Sequence, residues 1–117
     1  YATLEEVELK DGKEAEVSDR LARSIPDRSR VVALEVDGRA MSSKALAKWI
    51  DRAENDSVQT VVFLIGGAYG LPNEISARAD LRLSLSAMTL PHRLARLVLA
   101  EQLYRAFTIS RGEPYDH

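Results

Sequence analysis

The chain contains no cysteine, so a disulfide scaffold, a thiol nucleophile and a cysteine-based zinc site are excluded. Only two histidines, His92 and His117, occur among its 117 residues, which argues against a multi-histidine metal centre. No apolar run approaches the roughly 20 residues of a membrane-spanning helix, and no signal-peptide pattern is present. Aromatics make up only 6%, and glycine and proline number six and four. What is there is an ordinary globular composition, 45% hydrophobic and 29% charged, at a length that suits one compact domain. A reducing, cytoplasmic setting fits such a chain, with neither metal nor membrane implied. The first residue is Tyr1 and not Met, which reads as a fragment of a longer protein.

The net charge of −2 argues against a generic nucleic-acid coat, but it conceals an asymmetry. Residues 1–80 carry 11 basic and 15 acidic side chains, whereas residues 81–117 carry five basic and three acidic ones. All five late cations are arginine (Arg82, Arg93, Arg96, Arg105 and Arg111), whose planar fork matches phosphate and carboxylate. A modest basic patch and a solvated helix face both fit this pattern.

Two periodicities alternate along the chain. Leu4, Val7 and Leu9 predict a polar, edge-like strand closed by Asp11-Gly12, and Val17, Leu21 and Ile25 a short helix over 13–25 that Pro26 ends. Val31 to Val36 reads as a buried strand terminated by Asp37-Gly38. Ser42 or Ser43 caps the next helix, with Leu46, Trp49, Ile50 and Ala53 on one stripe. Val58 to Ile65 is the strongest strand signal, and its contiguous apolar run predicts a central parallel strand covered on both faces. After Gly66-Gly67-Ala68-Tyr69-Gly70, Pro72 to Ile75 suits the first turn of a short helix, and Leu81, Leu83 and Leu85 alternate as a strand. Thr89 as cap and Pro91 in the first turn open the longest helix, with Leu94, Leu97, Val98, Leu103, Ala106 and Phe107 as its apolar stripe. Arg111-Gly112 closes it. The alternation predicts an α/β domain around a mostly parallel sheet flanked by helices.

Parallel sheets take ligands at the carboxyl ends of their strands. Three loops qualify here: Asp37–Ser43, Gly66–Gly70 and Ser86–Leu90. Gly66, Gly67 and Gly70 either admit a ligand against the backbone or serve only a tight strand-to-helix turn, and spacing alone favours the turn. Neither Gly-x-Gly-x-x-Gly nor a Walker loop is present. His92 lies at the positive end of the last helix, which suits a neutral, hydrogen-bonding imidazole in a structural or a site role. Arg105 either pairs with Glu101 at i−4 or serves an anionic partner, and pairing is the simpler expectation. The high Leu and Val content of this helix hints at a homodimer contact.

Three stretches together resemble the RlmH-type ribosomal RNA methyltransferases of the SPOUT (trefoil-knotted, α/β knot) superfamily. They are Val32-Ala-Leu-Glu-Val-Asp-Gly38, Phe63-Leu-Ile-Gly-Gly-Ala-Tyr-Gly-Leu71 and Leu83-Ser-Leu-Ser-Ala-Met-Thr-Leu-Pro-His92. The last continues into Arg96 to Phe107 and Arg111-Gly-Glu-Pro-Tyr115, so that the resemblance covers residues 31 to 115 in order. Residues 1–30 match loosely, and the strand and helix with which such proteins begin are absent.

The resemblance implies a homodimeric enzyme with a carboxyl-terminal trefoil knot. It would use S-adenosyl-L-methionine (SAM) to methylate N3 of a pseudouridine in 23S rRNA, in the intersubunit helix of the 70S ribosome. Carried over by position, cofactor contacts fall on Leu34, Gly66 and the run Leu85, Ser86, Ala87, Met88, Thr89 and Leu90. Arg105, Tyr115 and His92 become the substrate-side residues: Arg105 for developing negative charge or a phosphate, Tyr115 to orient the base, His92 to hold the loop or relay a proton. One departure stands out, because the family ends in Tyr-His followed by Lys or Arg, whereas Tyr115 is followed here by Asp116 and His117. An acid there weakens phosphate attraction, and the absence of net basicity fits an enzyme that recognises a structured ribosomal site. The rival readings are a knotted methyltransferase acting on another RNA, such as tRNA, and a non-catalytic SAM- or RNA-binding module.

Overall fold

The computed structural model describes residues 3–8, 28–66, 71 and 73–112. The expected helix over 13–25, the Gly67–Gly70 turn and Tyr115 lie outside the described residues. Seven elements follow in order: β1 (Thr3–Glu8), β2 (Ser29–Ala40), α1 (Ser43–Asn55), β3 (Thr60–Ile65), α2 (Asn73–Arg78), β4 (Leu81–Ser84) and α3 (His92–Ser110). The four strands form one sheet in the order β1-β3-β2-β4, parallel throughout.

β3 is central because every residue of Thr60–Ile65 is buried, which only a strand covered on both faces achieves. Its odd residues Val61, Phe63 and Ile65 join Val32, Leu81 and Leu83 beneath α1 and α3, where Leu46, Ile50, Leu99 and Ala106 close the larger core. Its even residues Val62 and Leu64 face the other way, toward Val31 and Ile75 of α2. The period-two alternation of the pleat thus splits one apolar run between two layers. α1 starts where expected: Ser42 Oγ accepts the Ala45 N–H at 3.0 Å, and Leu46, Ala47, Ile50 and Ala53 are buried.

Four expectations are corrected. β2 does not stop at Asp37-Gly38 but runs on to Ala40, because Gly38 serves a close approach and not a turn. A Cβ there would meet the backbone of Arg82 and Leu83 at 2.8–2.9 Å, so only glycine lets β2 pass β4 at this height. β4 ends at Ser84, leaving Leu85 in the following loop. α3 begins at His92, with Pro91 at the cap position and no side-chain cap, so Thr89 does not cap it. Finally, the buried residues of α3 are Leu99, Ala106 and Thr108, whereas Leu94, Leu97 and Phe107 of the expected stripe are 43%, 66% and 40% exposed. The helix closes as read, with Gly112 at φ +70° just past the cap Arg111.

Candidate functional site

The register between β2 and β4 contains the feature that makes the site. Leu83 stands opposite Leu34 and again opposite Arg39, so the four residues between them leave the β4 ladder. Such irregularities re-aim side chains, and here Glu35, Val36 and Asp37 turn into the wall of a cleft at the carboxyl ends of the strands. The cleft holds about 670 Å³, within the range of roughly 300–1,000 Å³ usual for small-molecule sites.

Its lining combines apolar and charged residues. Its apolar lining comes from Leu34 of β2, Ile65 of β3, Leu71, and Leu85 and Leu90 after β4. Its polar lining comes from Glu35, Ser76 of α2 and Arg82 of β4, together with Asp37 and Asn73. Glu35 Oε2 accepts both the Ser76 hydroxyl at 2.9 Å and Arg82 Nε at 2.5 Å, tying three elements together. At β4's start, Asp80 Oδ2 accepts the Val31 N–H at 2.7 Å, while its own N–H donates to the Val31 carbonyl at 2.8 Å.

The loop after β4 is held by its own serines. Ser84 Oγ donates to the Ser86 carbonyl at 2.9 Å, and Ser86 Oγ accepts the Met88 N–H at 3.0 Å. Ser86, Met88, Thr89 and Leu90 line the cleft; Ala87 is exposed on the same loop without lining it. Gly66 lines the cleft as well, and its carbonyl lies 3.0 Å from His92 Nδ1. A carbonyl only accepts, so this bond requires the proton on Nδ1 and sets the imidazole tautomer. His92 therefore fastens the head of α3 to the end of β3.

Of the residues singled out in the sequence, Leu34, Gly66, Leu85, Ser86, Met88, Thr89, Leu90 and His92 meet at this one cleft. Arg105 does not reach it within one chain: thirteen residues beyond His92 on the same helix, it sits about 20 Å further along the axis. There its guanidinium bonds Glu101 Oε1 through Nε at 3.1 Å and a terminal nitrogen at 2.5 Å, the i−4 pairing that its spacing predicted. Sequence reasoning missed Glu35, Ser76 and Arg82. The available signal was an acid inside the apolar run Val31–Val36, but its partner Arg82 is 47 residues away and visible only once β2 lies beside β4.

A parallel α/β sheet with a cleft at the carboxyl ends of its strands defines the class of α/β proteins that take small ligands at that edge. Residues 2–117 match the family model described as "Predicted SPOUT methyltransferase", and the chain belongs to the SPOUT methyltransferases. Among its relatives, the Ribosomal RNA large subunit methyltransferase H of Sorangium cellulosum is 53% identical over 117 residues, covering 100% of this chain and 80% of that protein. Proteins of the same name from Syntrophotalea carbinolica and Shouchella clausii are 45% and 42% identical, each over 98% of this chain and 80% of their own length.

Proposed function

We propose that this chain is a cytoplasmic, homodimeric rRNA methyltransferase, moving the methyl group of SAM to N3 of a pseudouridine in 23S rRNA of the assembled 70S ribosome. The observation that carries the reading is the meeting of Leu34, Gly66 and the Leu85–Leu90 loop at one cleft in a chain of SPOUT family. The family's carboxyl-terminal knot, in a single domain over residues 1–117, belongs to the same proposal.

The residues present fit the cofactor. An adenosyl group needs an apolar slot with backbone donors and acceptors at its edge, which Leu34, Leu85, Leu90 and the turns at Gly66 and Ser86–Leu90 offer. Among the described lining residues two carboxylates, Glu35 and Asp37, stand against one arginine, Arg82, a balance that favours a cationic ligand. SAM supplies the electrophile as a sulfonium methyl, so the protein's task is to bind, orient and exclude water. His92 fastens Gly66 to the head of α3 and so fixes that part of the slot in which the donor would lie. The N3 proton of a pseudouridine is lost only well above neutral pH, so transfer needs the developing anion stabilised, a task for Arg105, while Tyr115 orients the base.

Because Arg105 lies about 20 Å along α3 from His92, it serves a cleft only when a second copy delivers it. The exposed apolar side chains of α3 support such a dimer: Leu94, Leu97, Tyr104 and Phe107 are 40–66% accessible in the single chain. The test is incubation of the purified protein with SAM carrying a labelled methyl group and 70S ribosomes lacking the modification, followed by nucleotide mapping. Label at N3 of one pseudouridine of 23S rRNA is the expected result. Label in tRNA instead would assign another RNA substrate, and donor binding without any transfer would make the chain a binding module.

A further inference from the structure

We infer that the Glu35–Arg82 pair is the receptor for the zwitterionic α-amino-acid end of the methyl donor, an inference that rests on the cleft being the donor site. The pair lines the same cleft as the apolar residues suited to the nucleoside. Glu35 spends one oxygen, Oε2, on both Ser76 and Arg82; no described residue engages Oε1. Arg82 likewise presents only Nε to Glu35, and no described residue engages its two terminal nitrogens. The Glu35 side chain is 15% exposed and that of Arg82 48%, so the carboxylate is held from behind while the guanidinium remains reachable.

Neighbouring charges of opposite sign, each with unused hydrogen-bonding capacity, complement a group that itself carries both signs. An ammonium finds the carboxylate oxygen, and a carboxylate finds the guanidinium fork. A ribose or a purine asks for no such pairing. Stability does not explain the placement, because an ion pair with one well-exposed partner contributes little to folding. Ser76 adds preorganisation: its hydroxyl holds the carboxylate before any ligand arrives, which lowers the cost of binding.

The experiment is calorimetric titration of the full chain and of Glu35→Gln and Arg82→Met variants with two ligands. S-adenosylhomocysteine carries the amino-acid end, and 5′-methylthioadenosine lacks it. Gln keeps an acceptor for Ser76 and Arg82 while removing the charge, and methylthioadenosine binding reports whether the cleft remains folded. The expected result is an affinity for S-adenosylhomocysteine about tenfold weaker in each variant, with methylthioadenosine changed less than twofold. Equal losses for both ligands would assign the pair a structural role and overturn the inference, as would unchanged affinity for S-adenosylhomocysteine. A wild-type chain that binds neither ligand would refute the donor-site reading itself, whereas wild-type binding with an unaltered ligand ratio in the variants would refute this inference alone.

Discussion

Replacing Gly38 by alanine isolates the close passage of β2 over β4 on which the cleft is built. The added Cβ would lie 2.8 Å from the Leu83 carbonyl carbon and 2.9 Å from the carbonyl carbon and oxygen of Arg82. Carbon contacts are comfortable at roughly 3.5–4.0 Å, so the strands must part by more than half an ångström. All three obstructing atoms are backbone, and no side chain can swing aside to absorb the strain. Overpacking of this kind costs about 1–3 kcal/mol, and the rigidity of the obstacle places Gly38→Ala in the upper half of that range. For a chain of this size that is a fall in Tm of roughly 6–15 °C. The same displacement moves Arg82 relative to Glu35, so affinity for S-adenosylhomocysteine falls as well. Thermal unfolding followed by circular dichroism, with calorimetry on the folded variant, measures both effects. A variant melting within about 2 °C of the parent would refute the close-approach argument, since a glycine merely tolerated in a strand would then gain from alanine.

Arg105→Ala is expected to leave SAM affinity unchanged while lowering methyl transfer to 70S ribosomes by about 10²–10³-fold, the usual effect of removing a group that stabilises developing charge. Unaltered transfer would remove Arg105 from the reaction. Leu97→Asp, at a position 66% exposed in the single chain, should leave unfolding of the protomer intact while abolishing the dimer in light-scattering chromatography. A persistent dimer would move the interface off this part of α3. Ser42→Ala removes the oxygen that caps α1 and should lower stability by about 1 kcal/mol; unchanged denaturant midpoints would contradict the cap.

What the sequence made legible follows the reach of each signal. β3 was readable because burial on two faces demands an uninterrupted apolar run, and Val61–Ile65 supplies one. The cap Ser42 and the Arg105–Glu101 pair were readable because both contacts lie within one helical turn. Gly38 was misread: Asp-Gly is a turn signal locally, and nothing local reveals that another strand's backbone will press on that position. The exposed side of α3 misled in the opposite direction, since helical spacing marks an apolar face without saying which apolar residues a single chain buries. The cleft's position followed from strand-end logic, whereas the Glu35–Ser76–Arg82 cluster in it required knowing that β2 lies beside β4.

Backbone amide spectra recorded while SAM is titrated into the isotopically labelled protein show whether the donor occupies the cleft at the carboxyl ends of the strands. Saturable shifts concentrated in Leu34–Asp37, Ile65–Gly66 and Leu85–His92 are expected. Absence of shifts at millimolar SAM, or shifts centred on the far groove between α1 and the end of α3 near Ile50 and Phe107, would contradict that occupancy.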